Sequence, residues 1–249
     1  MSYRTLFYIL FCLNTVPALA QDNPSDPSLG GTGPVLPAPL KELQNYMETQ
    51  PDMDFQTTYR SSSNVLDTKS QGSSQFLTRR PNLFRVSAKI GGNTYEYVSD
   101  GTLLTIYNHQ TNEYAEAAAR ASITGNMTFI AGLMSFQARL FDLLAALDQA
   151  ALGGGVKVAP KGTETVGGRE CDRFNVMSQV ETWDVWVEKA SPHLPCKLVS
   201  GDVDDPAVTT QINEFTWKKA PNFDAATFKF VPPAGSKRVD VGDLLAGQE

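Results

Sequence analysis

Turn pairs at short, regular intervals constrain this chain more than any other feature. Between Arg79 and Glu116 it reads RRPNLFRVSAKIGGNTYEYVSDGTLLTIYNHQTNEYAE, and turn signals cut this stretch into short runs of β-type residues. Leu83, Phe84, Val86 and Ile90 precede Gly91-Gly92; Tyr95, Tyr97 and Val98 precede Asp100-Gly101. Leu103, Leu104, Ile106 and Tyr107 then precede the polar run from Asn108 to Asn112. Gly-Gly and Asp-Gly tolerate the positive φ that tight hairpins require. The expectation is an antiparallel meander joined by short loops: a curved wall, with nothing catalytic in it.

The flanking sequence extends that wall. Pro39 suits a first helical turn, and Leu40, Leu43, Tyr46 and Met47 recur at helical spacing until Pro51. Phe55, Thr57 and Tyr59 alternate as in a strand, Ser61 to Ser74 reads as a polar turn region, and Gln75 to Arg80 resumes the sheet. Leu140, Leu143, Leu144, Leu147 and Ala151 form an apolar helical stripe stopped by Gly153-Gly154-Gly155. Before it, Met127 to Phe136 is apolar almost all round, as in a buried helix or a lid over an apolar cavity. Further strands are expected at 157–166, 169–177, 182–189, 194–201 and 208–217, with FKFVPPAG (Phe228 to Gly235) as a short closing strand. The sum is an α+β domain with one long, strongly curved antiparallel sheet.

Residues 1–20 have the form of a secretory leader: Arg4, an apolar run from Leu6 to Leu13, and Ala18-Leu19-Ala20. The run is shorter than the roughly 20 residues a membrane-spanning helix needs, so the chain is expected to be exported and periplasmic, without a membrane span. Residues 21–38 read as a Pro/Gly-rich tether, 39–241 as the folded domain, and 242–249 as a polar tail. A net charge of −6 offers nothing to nucleic acid, and His109 and His193 stand far apart, which argues against a metal site.

The usual catalytic signatures are missing: no G-x-S-x-G, phosphate loop, dinucleotide fingerprint or H-E-x-x-H occurs. An enzyme is not expected, nor a cofactor or metal. Asp202, Asp204 and Asp205 fit a solvated turn better than a calcium site, and Asn126-Met127-Thr128 matches a glycosylation sequon. Outside the leader only Cys171 and Cys196 remain, a candidate disulfide for an oxidising compartment. If they lie on strands flanking a third, they would stand roughly 9–10 Å apart, beyond the ~7 Å limit for a bridge. The pairing therefore requires a loop position or a strong twist. Trp183, Val185 and Val187 share one sheet face and Asp184, Trp186 and Glu188 the other. Of Arg79 and Arg80, consecutive on a strand, one is expected to point to the covered face, where a guanidinium needs acceptors; the alternative is a rim arginine snorkelling into water.

RPNLF (Arg80 to Phe84), VSDG (Val98 to Gly101), LTIYN (Leu104 to Asn108) and FKFVPPAG resemble, in that order, the LolA-type periplasmic lipoprotein carriers. The stretch with GRECDRF and WDVWVEKASPHLPCKLV looks more like an uncharacterised family of predicted exported bacterial proteins sharing that fold. The resemblance implies an unclosed half-barrel whose concave face is covered by helices. It implies a hydrophobic cavity for lipid or lipoprotein acyl chains, and makes Arg80 the latch of the lid through main-chain hydrogen bonds. Phe129, Leu133, Phe136, Leu140 and Phe141 become lid or cavity residues, joined on the sheet by Phe84, Val86, Tyr97, Ile106 and Trp183. The alternative is an envelope scaffold, with a protein partner, that keeps the fold and fills its core. The tether, the WDVW segment and the cysteine pair depart from the dedicated carriers.

Overall fold

The computed structural model describes residues 36–63, 68–90, 92–133, 138–179, 181–202 and 209–246. Leader 1–20, most of the tether and Phe136 lie outside them.

Helix α1 (Ala38–Thr49) starts with proline in its first turn and buries Leu40, Leu43 and Met47. Strands β1 (Asp52–Ser63) and β2 (Thr68–Arg79) follow as a long hairpin. The polar stretch read as a turn from Ser61 to Ser74 is thus mostly strand: Ser61 pairs with Ser70 and Ser63 with Thr68. Its serines and threonines satisfy the ladder without an apolar face, so alternation gave no signal.

The meander is β3 (Leu83–Ile90), β4 (Asn93–Asp100), β5 (Leu103–Asn108) and β6 (Glu113–Ala118). Gly101 takes φ +94° in the Asp-Gly turn, where Asp100 Oδ1 accepts from the amides of Thr102 and Leu103, each at 2.8 Å. Helices α2 (Ile123–Leu133) and α3 (Arg139–Ala151) come next. The second run of strands is β7 (Lys157–Val166), β8 (Arg169–Met177), β9 (Glu181–Glu188), β10 (Pro195–Asp202) and β11 (Thr209–Lys218). A two-residue strand β12 (Lys237–Arg238) pairs parallel to β6, and a short helix α4 (Val241–Ala246) buries Leu244 where the sequence suggested a polar tail. FKFVPPAG is not a strand. Residues 221–236 form an arm outside the ladder, held where Arg85 Nε and Nη2 donate to the carbonyls of Thr227 and Lys229, both at 2.7 Å.

All twelve strands belong to one unclosed sheet in the order β12-β6-β5-β4-β3-β2-β1-β11-β10-β9-β8-β7, antiparallel except at β12. Strands β6 and β7 are consecutive in sequence yet stand near opposite edges, with nine strands between them. Laid flat, that gap would be on the order of 40–50 Å at about 4.8 Å per strand. Helices α2 and α3 must make the crossing, and they are only about 16 Å and 20 Å long. A sheet of this width coils, which shortens the path. One buried cluster joins Leu40, Leu43, Ile130, Leu143 and Leu147 of the helices to Phe55, Phe84, Tyr97, Val185 and Leu198 of the sheet.

Candidate functional site

The inner face of the sheet, the one sharing that cluster, is built by register. Ala115 pairs with Ile106, Ile106 with Tyr97, Tyr97 with Val86, Val86 with Phe76, Phe76 with Phe55, and Phe55 with Trp217. The cross-strand row is apolar over seven strands, because period-2 alternation puts these positions on one face. Phe55 stacks on Phe76 (centroids 4.6 Å apart) and Trp217 (4.5 Å), and Phe76 meets Phe141 of α3 at 6.1 Å. Phe84, Val86, Tyr97, Ile106, Leu140, Phe141 and Trp183 are all buried in this cluster, and Phe129 and Leu133 pack half-buried against it. Burial, reinforced by Tyr95 and Tyr59, pushes the Tyr97 phenol well above its usual range.

Of the consecutive arginines, Arg79 faces outward, with Nε and Nη2 donating to Asp52 at 2.8 and 2.9 Å. Arg80 faces inward. It lines a cavity of about 50 Å³ with Gln44, Glu48, Ile123, Phe141 and Asp148, where α1, α2 and α3 meet. Its Nε is buried without a partner, and its side chain donates no hydrogen bond to a helix carbonyl among the described residues. Burial lowers the proton affinity of this guanidinium, and Glu48 acts against that shift. Around it RPNLF makes a junction. Asn82 Nδ2 donates to the carbonyls of Gly101 (2.9 Å) and Arg120 (3.0 Å), and the Pro81 carbonyl accepts the Ile123 amide at 3.1 Å. RPNLF and VSDG therefore pin the start of the helical crossing to the meander. Asn126 serves the same junction: fully buried, it accepts from the Arg120 amide at 2.9 Å and donates to the Arg120 and Ser122 carbonyls. The sequon asparagine is thus a structural clamp.

On β9 to β11 the inner face turns polar. Trp183 pairs with Ser200, and Ser200 with Gln211. Gln211 donates to Asn213 Oδ1 at 3.0 Å, and Asn213 donates to Thr57 Oγ1 at 3.4 Å. Sequence reasoning named Trp183 but missed Ser200, Gln211 and Asn213, although alternation back from Trp217 and Phe215 leads to Asn213 and Gln211. Trp186 lies on the outer face in a separate cluster with Cys171 and Cys196, whose sulfurs are bonded. The two cysteines do flank β9, yet their Cα atoms are 6.8 Å apart. The ladder register shifts between Pro195 and Lys197, a bulge at Cys196 that permits the closer approach.

A larger hollow of about 590 Å³ lies away from the helices, beside Cys196, and its lining includes Arg169, Glu188, Glu214 and Lys219. Those charges make it a poor host for an acyl chain. Among the described residues no group of three or more His, Cys, Asp or Glu is placed to hold a metal ion.

A family model described as "Predicted periplasmic protein (DUF2092)" matches residues 38–242. The chain belongs to this family. Membership meets the likeness read in GRECDRF and WDVW, and the family's periplasmic description is the compartment expected from the leader. No curated protein matches the chain. Among solved structures it is similar to an uncharacterised conserved protein from Thermus thermophilus, at 15% identity over 81% of this chain and 97% of that one, with a TM-score of 0.45. It is also similar to lipoprotein LppX of Mycobacterium tuberculosis (15% identity, 76% and 99% covered, TM-score 0.42). A LolA superfamily protein from Nitrosomonas europaea is a further likeness (10% identity, 79% and 99% covered, TM-score 0.34).

Proposed function

We propose that this DUF2092 protein is a non-enzymatic periplasmic binding protein that holds acyl chains between its curved sheet and a lid of helices. The single observation carrying this reading is the apolar row crossing seven strands, which shares one buried cluster with residues of α1, α2 and α3. Lifting the helices exposes apolar area at about 25 cal/mol per Å². An acyl chain laid along the row recovers that area, so exchange of lid for ligand is close to balanced. Away from the Asn82–Arg120 junction, the side-chain ties from the helices toward β9 and β10 among the described residues are Arg139 with Glu181 at 2.8 Å and Glu42 with His193 at 3.4 Å. Arg80 supplies the bias. A desolvated cation whose Nε has no acceptor weakens the closed state. It thereby keeps the lid able to reopen, a role different from a main-chain latch.

The second reading, a scaffold with a filled core, draws on how small the cavity at the helix junction is, about 50 Å³. Native mass spectrometry of protein isolated from its own envelope, with organic extraction, separates the two. Acyl lipid or lipopeptide at near-stoichiometric amount is expected. Protein that comes off empty and takes up no fluorescent fatty acid would establish the scaffold. In the loaded protein, Arg80→Leu is expected to slow ligand exchange with the fold intact; unchanged exchange removes Arg80 from the mechanism.

A further inference from the structure

Among the described residues, three buried polar atoms on the inner face of β9 to β11 have no hydrogen-bond partner: Trp183 Nε1, Ser200 Oγ and Gln211 Oε1. Their residues are only 4%, 2% and 1% exposed. Leaving such groups unpaired costs about 1–3 kcal/mol each, so three together demand an explanation. They are not scattered. Trp183 stands opposite Ser200, and Ser200 opposite Gln211, on three adjacent strands. Cross-strand neighbours on one face have Cβ atoms about 4.5–5.5 Å apart, so the three atoms belong to one patch.

The patch has a defined hydrogen-bonding character. An indole N–H can only donate. Gln211 has committed its Nε2 to Asn213, and Asn213 its Nδ2 to Thr57, which fixes the Gln211 amide with its oxygen free to accept. Ser200 can do either. The cation of the α3 helix that packs over β10, Arg139, is already held by two acids, Glu181 at 2.8 Å and Asp142 at 3.5 Å. A carboxylate or phosphate placed here would face the Gln211 oxygen and compete with two acids for the one cation near it. A group that both donates and accepts while staying neutral satisfies all three atoms.

We infer that the β9–β11 row is the polar subsite of the acyl cavity, and that it selects chains ending in or carrying an uncharged amide or hydroxyl group over carboxylates. This rests on the carrier reading above, since α3 packs over β10 and must lift for the row to be reached. It accounts for three unpartnered polar atoms that stand on adjacent strands of one face.

The test is displacement of diphenylhexatriene, an apolar polyene probe, from the full-length mature protein by decanamide, decanoate and decane. Decanamide should compete about tenfold better than either of the others. Ser200→Ala and Gln211→Leu should each reduce the decanamide-to-decane affinity ratio about fivefold. Ser200→Ala removes an unpaired atom, so it should not lower the melting temperature of the ligand-free protein. A melting temperature clearly lowered by Ser200→Ala would make the row structural and overturn the inference. Equal competition by all three compounds would overturn the subsite while leaving the carrier reading intact. Failure to take up the polyene or any of the three would remove the carrier reading and the subsite with it.

Discussion

The two halves of the sheet solve the same burial problem differently. Strands β2 to β6 are covered on both faces. Inside, Phe84, Val86, Tyr97 and Ile106 are buried in the cluster they share with helix residues; outside runs the arm 221–236, with Phe228 buried, Arg79 over the Phe228 ring at 5.5 Å, and Phe230 against Tyr107 and Tyr114 at 5.6 and 5.3 Å. Strands β8 to β10 have only their inner face in the main core, and β7 at the edge buries no residue. Their outer face is a polar ladder in which Arg173 bridges Glu164 (2.9 Å) and Asp184 (2.7 Å), and Lys197 lies over the Trp186 ring at 4.6 Å. The first half is held by packing from two sides. The second carries a disulfide in place of the missing layer. On the carrier reading proposed above, the first half would supply the apolar wall and the second the polar subsite.

The largest effect expected from this contrast is on Phe84, fully buried in the doubly covered half. Phe84→Ala should cost about 3–5 kcal/mol, because neither layer can collapse into the space. Phe174, opposite the edge strand β7, should cost less on truncation, since an edge strand can move in. Urea unfolding of both variants checks the order; equal losses would mean that the second half is as tightly held as the first.

Next in size is the disulfide. Its cysteines are 25 residues apart, and closing a loop of that length stabilises by about 3.5 kcal/mol in the chain-entropy account. In the double variant Cys171→Ala/Cys196→Ala, hydrogen exchange should rise in β8 to β10 and stay unchanged in β3 to β5. Exchange that rises equally in both would show the sheet to be one cooperative unit, and would erase the distinction between halves.

What could be read in advance follows from the range of the interactions involved. The meander was legible because each hairpin is local: Asp100-Gly101 sets a turn, and Tyr97 opposite Ile106 follows from counting back from it. The β1–β2 hairpin was not, because its distal ends carry serines with no apolar face to reveal the period. FKF in the arm alternates like a strand, yet two guanidiniums from β2 and β3 hold the arm outside the ladder, a contact more than 140 residues long-range. At the candidate site, Arg80 and the apolar row were visible as residue types at strand positions. The Trp183–Ser200–Gln211 row was not, because it exists only through the registers of two separate pairings. The disulfide hung on one residue of register, the bulge at Cys196.

The smallest effect bears on the outer ladder alone. The indole N–H of Trp186 donates to Glu164 at 2.9 Å, and this bond, with the Arg173 pair, holds the Glu164 carboxyl below the usual glutamate range. A depressed folded-state pKa means that the stabilisation is present above the unfolded value, about 4.3, and is lost as pH falls through the folded one. Glu164→Gln keeps the shape and removes the charge. The wild-type protein should therefore melt slightly above the variant at neutral pH, and the gap should close as pH drops below about 4. Because Glu164 is solvent-facing, salt should shrink the neutral-pH gap further. A gap independent of pH and salt would mean that the ladder holds this face by shape and not by charge, and the open half would then resemble the covered one more closely than its surface chemistry suggests.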